Sequence, residues 1–132
     1  MSKSVGNTIL ISDSPEEIHR KTMKAVTDPQ KIRKGDPGRP EICLIFTYHQ
    51  KFNPSEVTQI ERECRSGALG CVQCKTNCAK HIADYLAPIR EKRAYFEGHP
   101  KEVTEILRKG EASARTVAEQ TMEDVHKIMK LG

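Results

Sequence analysis

The sequence predicts an all-α fold, a bundle of five to six helices, on the basis of three observations. Two segments carry helix-capping patterns, Ser14-Pro15-Glu16-Glu17 and Asn53-Pro54-Ser55-Glu56, in which a polar cap residue precedes a proline. Apolar residues recur at helical spacing along the second half of the chain. The apolar run at residues 42–48 has no second run with which it would pair as a strand, and this favours a helix there too.

Composition limits the class of protein. The chain has 132 residues, enough for one domain, and with 5% aromatic residues and no Trp its core must consist mainly of aliphatic side chains. The net charge of +4 permits a nucleic-acid partner without requiring one. No apolar run approaches the ~20 residues of a membrane span. The first seven residues also lack the apolar stretch of a signal peptide, so we expect a cytoplasmic protein without a membrane partner.

The first half of the chain predicts three helices. A loop over residues 1–13 leads to a helix that begins after Ser14 and ends near Thr27. Residues 28–40 form a connector, because they contain three prolines, two glycines and several basic residues. The second helix covers residues 41–51. The third has Asn53 as its cap and runs to about Arg65.

The second half predicts two longer helical segments. Residues 70–96 read as one helix, in which Pro88 should cause a kink or break near Asp84–Ala87. Residues 98–100, Gly-His-Pro, separate it from a last helix that continues to the C-terminus and tolerates Gly110 at modest cost.

Four of the five cysteines have a spacing that favours a shared metal site. Cys43, Cys64, Cys71 and Cys74 are separated by twenty, six and two residues. Thiolates select zinc, copper(I) or iron–sulfur clusters. Structural zinc usually adds a second close pair of ligands, whereas two of these cysteines come singly from different segments, which favours a [4Fe–4S] cluster. Cys43 taken alone fits an ordinary core cysteine, and Cys78 is an alternative fourth ligand.

Basic residues near these cysteines are candidates for contacts to an RNA backbone, the alternative being an ordinary solvated surface. They lie in the connector and just after Cys74: Lys31, Arg33, Lys34, Arg39, Lys75 and Lys80. The five histidines form no close ligand pair, so structural or solvated roles are favoured for all of them.

Several segments resemble one enzyme family. Met1-Ser2-Lys3-Ser4 is similar to the end of the K-M-S-K-S signature of class I aminoacyl-tRNA synthetases. Residues 12–28, 86–93 and 106–118 resemble the helices that follow this loop in tryptophanyl-tRNA synthetases. A subset of these enzymes carries four cysteines with the same second and third gaps and a slightly longer first gap, and that motif is an iron–sulfur site.

The resemblance implies a division of the chain and a role for each part. Residues 1–13 would be the end of the ATP-binding loop, with Lys3 as the catalytic residue and Ser2 and Ser4 as further ATP contacts. Residues 14–132 would be a helical anticodon-binding domain whose cluster is structural. The whole enzyme would be a homodimeric tryptophan–tRNA ligase that uses ATP with Mg²⁺ and binds the tryptophan tRNA.

The resemblance also implies that the N-terminal catalytic domain is missing, because the first Lys of the signature and the nucleotide-binding half do not occur in this sequence. We therefore expect a fragment or one half of a split protein, inactive alone. Two rival interpretations remain: a zinc- or iron–sulfur-dependent nucleic-acid-binding domain without enzymatic activity, and a redox-sensing module. Metal analysis and binding of the tryptophan tRNA distinguish them.

Overall fold

The computed structural model describes residue 6 and residues 8–130, and within them the chain forms five α-helices and no strand. This confirms the predicted all-α class. The chain divides into two compact units, residues 1–90 and residues 91–132. The helices are α1 (Pro15–Met23), α2 (Leu44–Phe52), α3 (Val57–Arg65), α4 (Cys71–Gly98) and α5 (Pro100–Met129), and a short 3-10 helix (Pro40–Ile42) precedes α2.

Helix α1 begins as its capping pattern predicts. Ser14 accepts a hydrogen bond at 3.2 Å from the backbone N–H of Glu17, and Pro15 occupies the first turn, where a missing N–H costs nothing. The helix ends at Met23, before the predicted end near Thr27, because the N–H groups of Lys24 and Ala25 close the last turn onto the carbonyls of Lys21 and Thr22, respectively.

The second capping prediction is wrong in detail. Asn53 ends α2 instead of starting α3, since its N–H donates to the carbonyl of His49 at 2.8 Å. Its side chain binds Ser55 and Glu56 instead of a helical N–H, at 3.2 and 2.8 Å. Helix α3 therefore begins later, at Val57.

The core of the first unit lies between α1, α2 and α4. A smaller cluster of Phe46, Ile60 and Leu69 joins α2, α3 and the turn before α4, and it places the start of α4 beside the end of α3. The main cluster consists of Ile18, Ile45, Cys78, Ala79, Ile82, Ala83 and Leu86.

Helix α4 continues through Pro88 without the interruption that the sequence predicts at Asp84–Ala87. Proline removes the N–H that would bond to the carbonyl four residues earlier. The Arg90 guanidinium donates to the Ala83 carbonyl at 2.8 Å, so a side chain supports the backbone of the turn beside the proline.

The second unit is dominated by α5, a 30-residue helix in which none of the described residues is buried. Gly110 lies inside it, as predicted. At its start, Tyr95 stacks on His99 with ring centroids 4.1 Å apart and donates to Glu102 at 2.9 Å. Among the described residues no helix is both long and apolar enough to cross a membrane.

Candidate metal centre and nucleic-acid surface

Four half-buried cysteines line one small cavity of about 20 Å³ in the first unit. Cys43 is the residue before α2, Cys64 lies in the last turn of α3, and Cys71 and Cys74 form the first turn of α4. Thr27, Lys31, Ile45 and Leu69 complete the lining. The fold thus brings together four thiols from three segments of the chain, in a space that holds about one water molecule.

Two glycines allow the connector to approach the end of α3 closely. A Cβ atom on Gly38 would lie 2.7 Å from Cys64 Sγ, and the Gly38 N–H donates to the Cys64 carbonyl at 2.9 Å. Gly67 has a φ of +81°, and a Cβ there would lie 2.1 Å from the Gly35 carbonyl oxygen. A side chain at Gly38 would press directly on the Cys64 sulfur, whereas one at Gly67 would separate the two loops.

The surroundings of Cys64 and Cys74 favour the protonated form of these two thiols. Burial, followed by the charges of the neighbouring cysteines, raises the pKa of Cys74 to about 12. Burial also raises the pKa of Cys64, against the opposing charge of Lys31. A metal that binds here must displace these protons. Its positive charge would then balance the negative charge of the thiolates, which the surrounding protein does not do.

The arrangement is unlike that of a single-ion site. In the described part of the chain, no group of three or more His, Cys, Asp or Glu side chains is arranged to hold one metal ion. A tetrahedral zinc site brings its sulfur atoms to about 4 Å from each other, given zinc–sulfur bonds near 2.3 Å. The lining of the cavity supplies four thiols, the donor type that zinc, copper(I) and iron–sulfur clusters share.

Cys78 has a different environment. It is fully buried in the main core cluster, its sulfur lies 3.9 Å from the Ile45 carbonyl, and it does not line the cysteine cavity. Burial raises the pKa of Cys78 to about 12 as well. Cys43 thus lines the cavity together with Cys64, Cys71 and Cys74, whereas Cys78 lies in the core cluster, against which Cys43 and Cys74 also pack.

His49 is a residue that sequence reasoning assigned only a structural or solvated role. It is fully buried on α2, and its Nε2 lies 3.2 Å from the Cys74 carbonyl oxygen and 3.4 Å from Cys74 Sγ. Burial lowers the pKa of His49. No spacing rule relates residue 49 to residue 74, because the contact depends on how α2 packs against α4.

The six basic candidates divide into two groups. Lys31, Arg39 and Lys75 bind groups within the protein: the Asp36 carbonyl, the Asp28 carboxylate and the Met23 carbonyl. Lys31 is also 8% exposed and lines the cysteine cavity. The side chains that remain exposed are those of Arg33, Lys34 and Lys80.

Arg33 and Lys34 border an open groove of about 400 Å³ at the start of α4. Ile32 and Val72, which are 82% and 68% exposed, lie in the same lining, beside Cys71. The N-terminus of a helix carries a partial positive charge, so this end of α4 adds to the positive field of the two side chains. The three predicted ATP contacts, Ser2, Lys3 and Ser4, lie outside the described residues.

The comparisons with known proteins agree on one family. The family model "tRNA synthetases class I (W and Y)" matches residues 1–87. The tryptophan–tRNA ligase of Aquifex aeolicus is 50% identical over 99% of this chain and 34% of its own length. That of Deinococcus radiodurans is 40% identical over 95% of this chain and 38% of its own length.

A solved structure gives the same result. The tryptophanyl-tRNA synthetase of Campylobacter jejuni, in complex with ADP and tryptophan, matches with a TM-score of 0.86 and 28% identity. That match covers 99% of this chain and 41% of the other. This chain therefore spans a little over a third of the length of the proteins that it matches.

Proposed function

The chain belongs to the class I tRNA synthetases of the tryptophan and tyrosine type, and from that membership we propose that it works as the C-terminal portion of a tryptophan–tRNA ligase. The observation that carries the proposal is the 50% identity to the Aquifex aeolicus ligase along 99% of this chain. The complete enzyme would activate tryptophan with ATP and Mg²⁺ and transfer it to its tRNA. It would do so in the cytoplasm, as a homodimer.

Lys3 would act on ATP in this enzyme. A lysine on a loop of small polar residues is able to follow the phosphates as negative charge develops during activation, and Ser2 and Ser4 supply further polar contacts. Such a contact stabilises the transition state more than the bound substrates. Lys3 should therefore affect the rate of activation more than the binding of tryptophan.

The experiment joins this chain to the other two thirds of the Aquifex aeolicus relative, in place of its matching 34%. We expect the hybrid to charge the tryptophan tRNA, and the 132-residue chain alone to show no tryptophan-dependent pyrophosphate exchange. Lys3→Ala should lower kcat for activation about 100-fold with little change in tryptophan affinity.

The matched control is Lys51→Ala, which removes an exposed lysine from α2. It should leave activation unchanged. Pyrophosphate exchange by the chain alone, or equal losses in the two variants, would contradict the proposed role of Lys3.

A [4Fe–4S] cluster on Cys43, Cys64, Cys71 and Cys74 is the second part of the proposal. The proposal is supported by the four soft donors around one cavity, and the preference for a cluster over zinc comes from the sequence, where two of the cysteines stand singly in different segments. When bound, the cluster would supply a covalent cross-link between the start of α2, the end of α3 and the start of α4.

The proposed tRNA surface is the groove between the connector and the start of α4. Arg33 and Lys34 are exposed there, and the apolar side chains of Ile32 and Val72 offer surface on which unpaired bases would pack. Lys80 is the third exposed candidate. Lys31, Arg39 and Lys75 would support this surface from inside, through their bonds to the protein.

A further inference from the structure

Cys74 differs from the other cysteines of the cavity in having a hydrogen-bond donor on its outer side. It lies between two cavities: the small one that all four cysteines line, and a polar one of about 210 Å³ that His49 also lines. His49 Nε2 approaches Cys74 Sγ to 3.4 Å from this second side. It does not line the cysteine cavity, so it contacts the sulfur without competing as a ligand.

The hydrogen bonds around the His49 ring place a proton on Nε2. Asn53 donates one amide hydrogen to Glu56 at 2.8 Å, while its carbonyl oxygen accepts from Ser55 at 3.2 Å. These two bonds fix the orientation of the amide, so that its nitrogen faces His49 Nδ1 at 3.5 Å. Nδ1 is therefore the acceptor and Nε2–H the donor.

The donor is held rigidly. His49 and Asn53 are 0% and 2% exposed, and Asn77 on α4 donates to the same Glu56 oxygen as Asn53, at 2.8 Å. The two acceptors that face Nε2–H, the carbonyl and the sulfur, both belong to Cys74. If Cys74 is a thiolate, its sulfur becomes the stronger acceptor because the bond is then charge-assisted.

We propose that His49 is a positioning residue for the cluster, which donates a hydrogen bond from Nε2–H to the Cys74 sulfur and raises the cluster's reduction potential. The inference rests on the proposed [4Fe–4S] site. A donor to a ligand sulfur withdraws electron density from it and favours the reduced, more negative cluster. His49 therefore stabilises the reduced form without touching iron.

The test compares substitutions that keep or remove a hydrogen-bond donor at the position that Nε2 occupies in the His49 side chain. In the anaerobically purified chain, His49→Gln places an amide N–H at that depth and should keep a potential close to wild type. His49→Asn is polar but too short to reach the sulfur, and His49→Leu has no donor, so both should shift the potential downward. His81→Leu is the control, because His81 lies on α4 near Glu56, at 4.0 Å, and makes no contact with Cys74.

Two readouts identify the hydrogen bond itself. Redox titration followed by electron paramagnetic resonance gives the potential, and electron–nuclear double resonance of the reduced cluster should detect an exchangeable proton that His49→Asn removes. Iron and sulfide analysis of each variant distinguishes a protein that has lost the cluster from one in which only the reduction potential has changed. Unfolding curves establish that the Gln and Asn variants are equally folded.

The outcomes are distinguishable. A wild-type chain without iron and sulfide overturns the proposed cluster, and this inference with it. A wild-type chain with a cluster overturns the inference alone if His49→Asn and His49→Leu have the potential of His81→Leu and keep the exchangeable proton. A downward shift in those two variants, with the Gln variant close to wild type, supports it.

Discussion

Cys43 and Cys78 make the clearest contrast among single residues, because each was a candidate for the fourth ligand and only Cys43 lines the cavity. We expect Cys43→Ser, Cys64→Ser, Cys71→Ser and Cys74→Ser each to lower the iron content of the anaerobically purified chain. Cys78→Ser should keep the iron, and its buried hydroxyl should lower the free energy of unfolding by roughly 1–3 kcal/mol. Metal analysis and urea unfolding measure the two effects separately.

Opposite results would change the assignment. Full iron in Cys43→Ser with loss in Cys78→Ser would make Cys78 the fourth ligand. Zinc in the wild-type chain, or equal iron in all five variants, would contradict the assignment of a [4Fe–4S] cluster to these cysteines.

Single residues also mark where sequence reasoning ends. Residue type and the clustering of Cys64, Cys71 and Cys74 were enough to suggest a shared site, because thiolates are soft ligands for zinc, copper(I) and iron–sulfur clusters. Lys31 and His49 were not predictable in the same way. A lysine in a basic connector gives no sign that it will turn inward beside Cys64, and His49 reaches Cys74 only through tertiary packing.

The connector between α1 and α2 is stabilised mainly by one carboxylate. Asp28 is 5% exposed and accepts hydrogen bonds from the Arg39 guanidinium at 2.7 and 3.0 Å. It also accepts from the backbone N–H groups of Gln30 and Arg39, both at 2.9 Å. The Arg39 side chain, followed by the Gln30 N–H, holds the pKa of Asp28 well below its usual value.

The stability of this element should therefore depend on pH in the acid range. A carboxylate whose pKa is lowered by folding stabilises the native state above its unfolded pKa of about 3.9, and this contribution is lost as the pH falls further. Between about pH 6 and pH 3 the free energy of unfolding should fall more steeply in wild type than in Asp28→Asn. Urea unfolding of the two proteins across this range measures the difference.

Glu61→Gln is the matched control for that measurement. Glu61 pairs with Arg65 on α3, where both side chains are substantially exposed, at 42% and 50%. Exposed pairs of this kind contribute little to stability. A pH dependence of Asp28→Asn equal to that of wild type would show that the Asp28–Arg39 contact does not form in solution.

Prediction of the helices succeeded where the signal is local. The Ser14 hydrogen bond and the position of Pro15 are both local to the start of α1, so the sequence was sufficient to predict where this helix begins. Asn53 carries the same kind of signal, but its side chain is engaged by Ser55 and Glu56, and Asn77 from α4 binds the same carboxylate. That network depends on tertiary packing, which a capping rule does not include.

For the molecule as a whole, the all-α class followed from periodicity and caps, but the unequal burial of the two halves did not. Helix α4 buries Cys78, Ile82 and Leu86 in the first unit, whereas α5 buries none of its described residues. Apolar positions in α5 such as Ile106, Leu107 and Val117 have the spacing of a core stripe yet are more than half exposed. Periodicity identifies which face of a helix is apolar, and only the structure shows whether that face is buried.

The proposed tRNA interface is tested in the hybrid enzyme, which joins this chain to the Aquifex aeolicus segment. Binding that neutralises phosphates weakens as salt is added, because counterions are released on association. We expect Arg33→Gln with Lys34→Gln to weaken binding of the tryptophan tRNA and to reduce the slope of log affinity against log salt by about one to two. Filter binding across a salt series measures both quantities.

The control carries the same change in net charge elsewhere. Lys101→Gln with Lys109→Gln removes two exposed charges from α5, and neither residue is among those that line the groove. If net charge alone governs the affinity, both double variants will lose the same slope. If the groove at the start of α4 meets the phosphate backbone, only the Arg33 and Lys34 variant will lose it. Its binding at high salt will then approach that of wild type, because the phosphate contacts it lacks contribute least under those conditions.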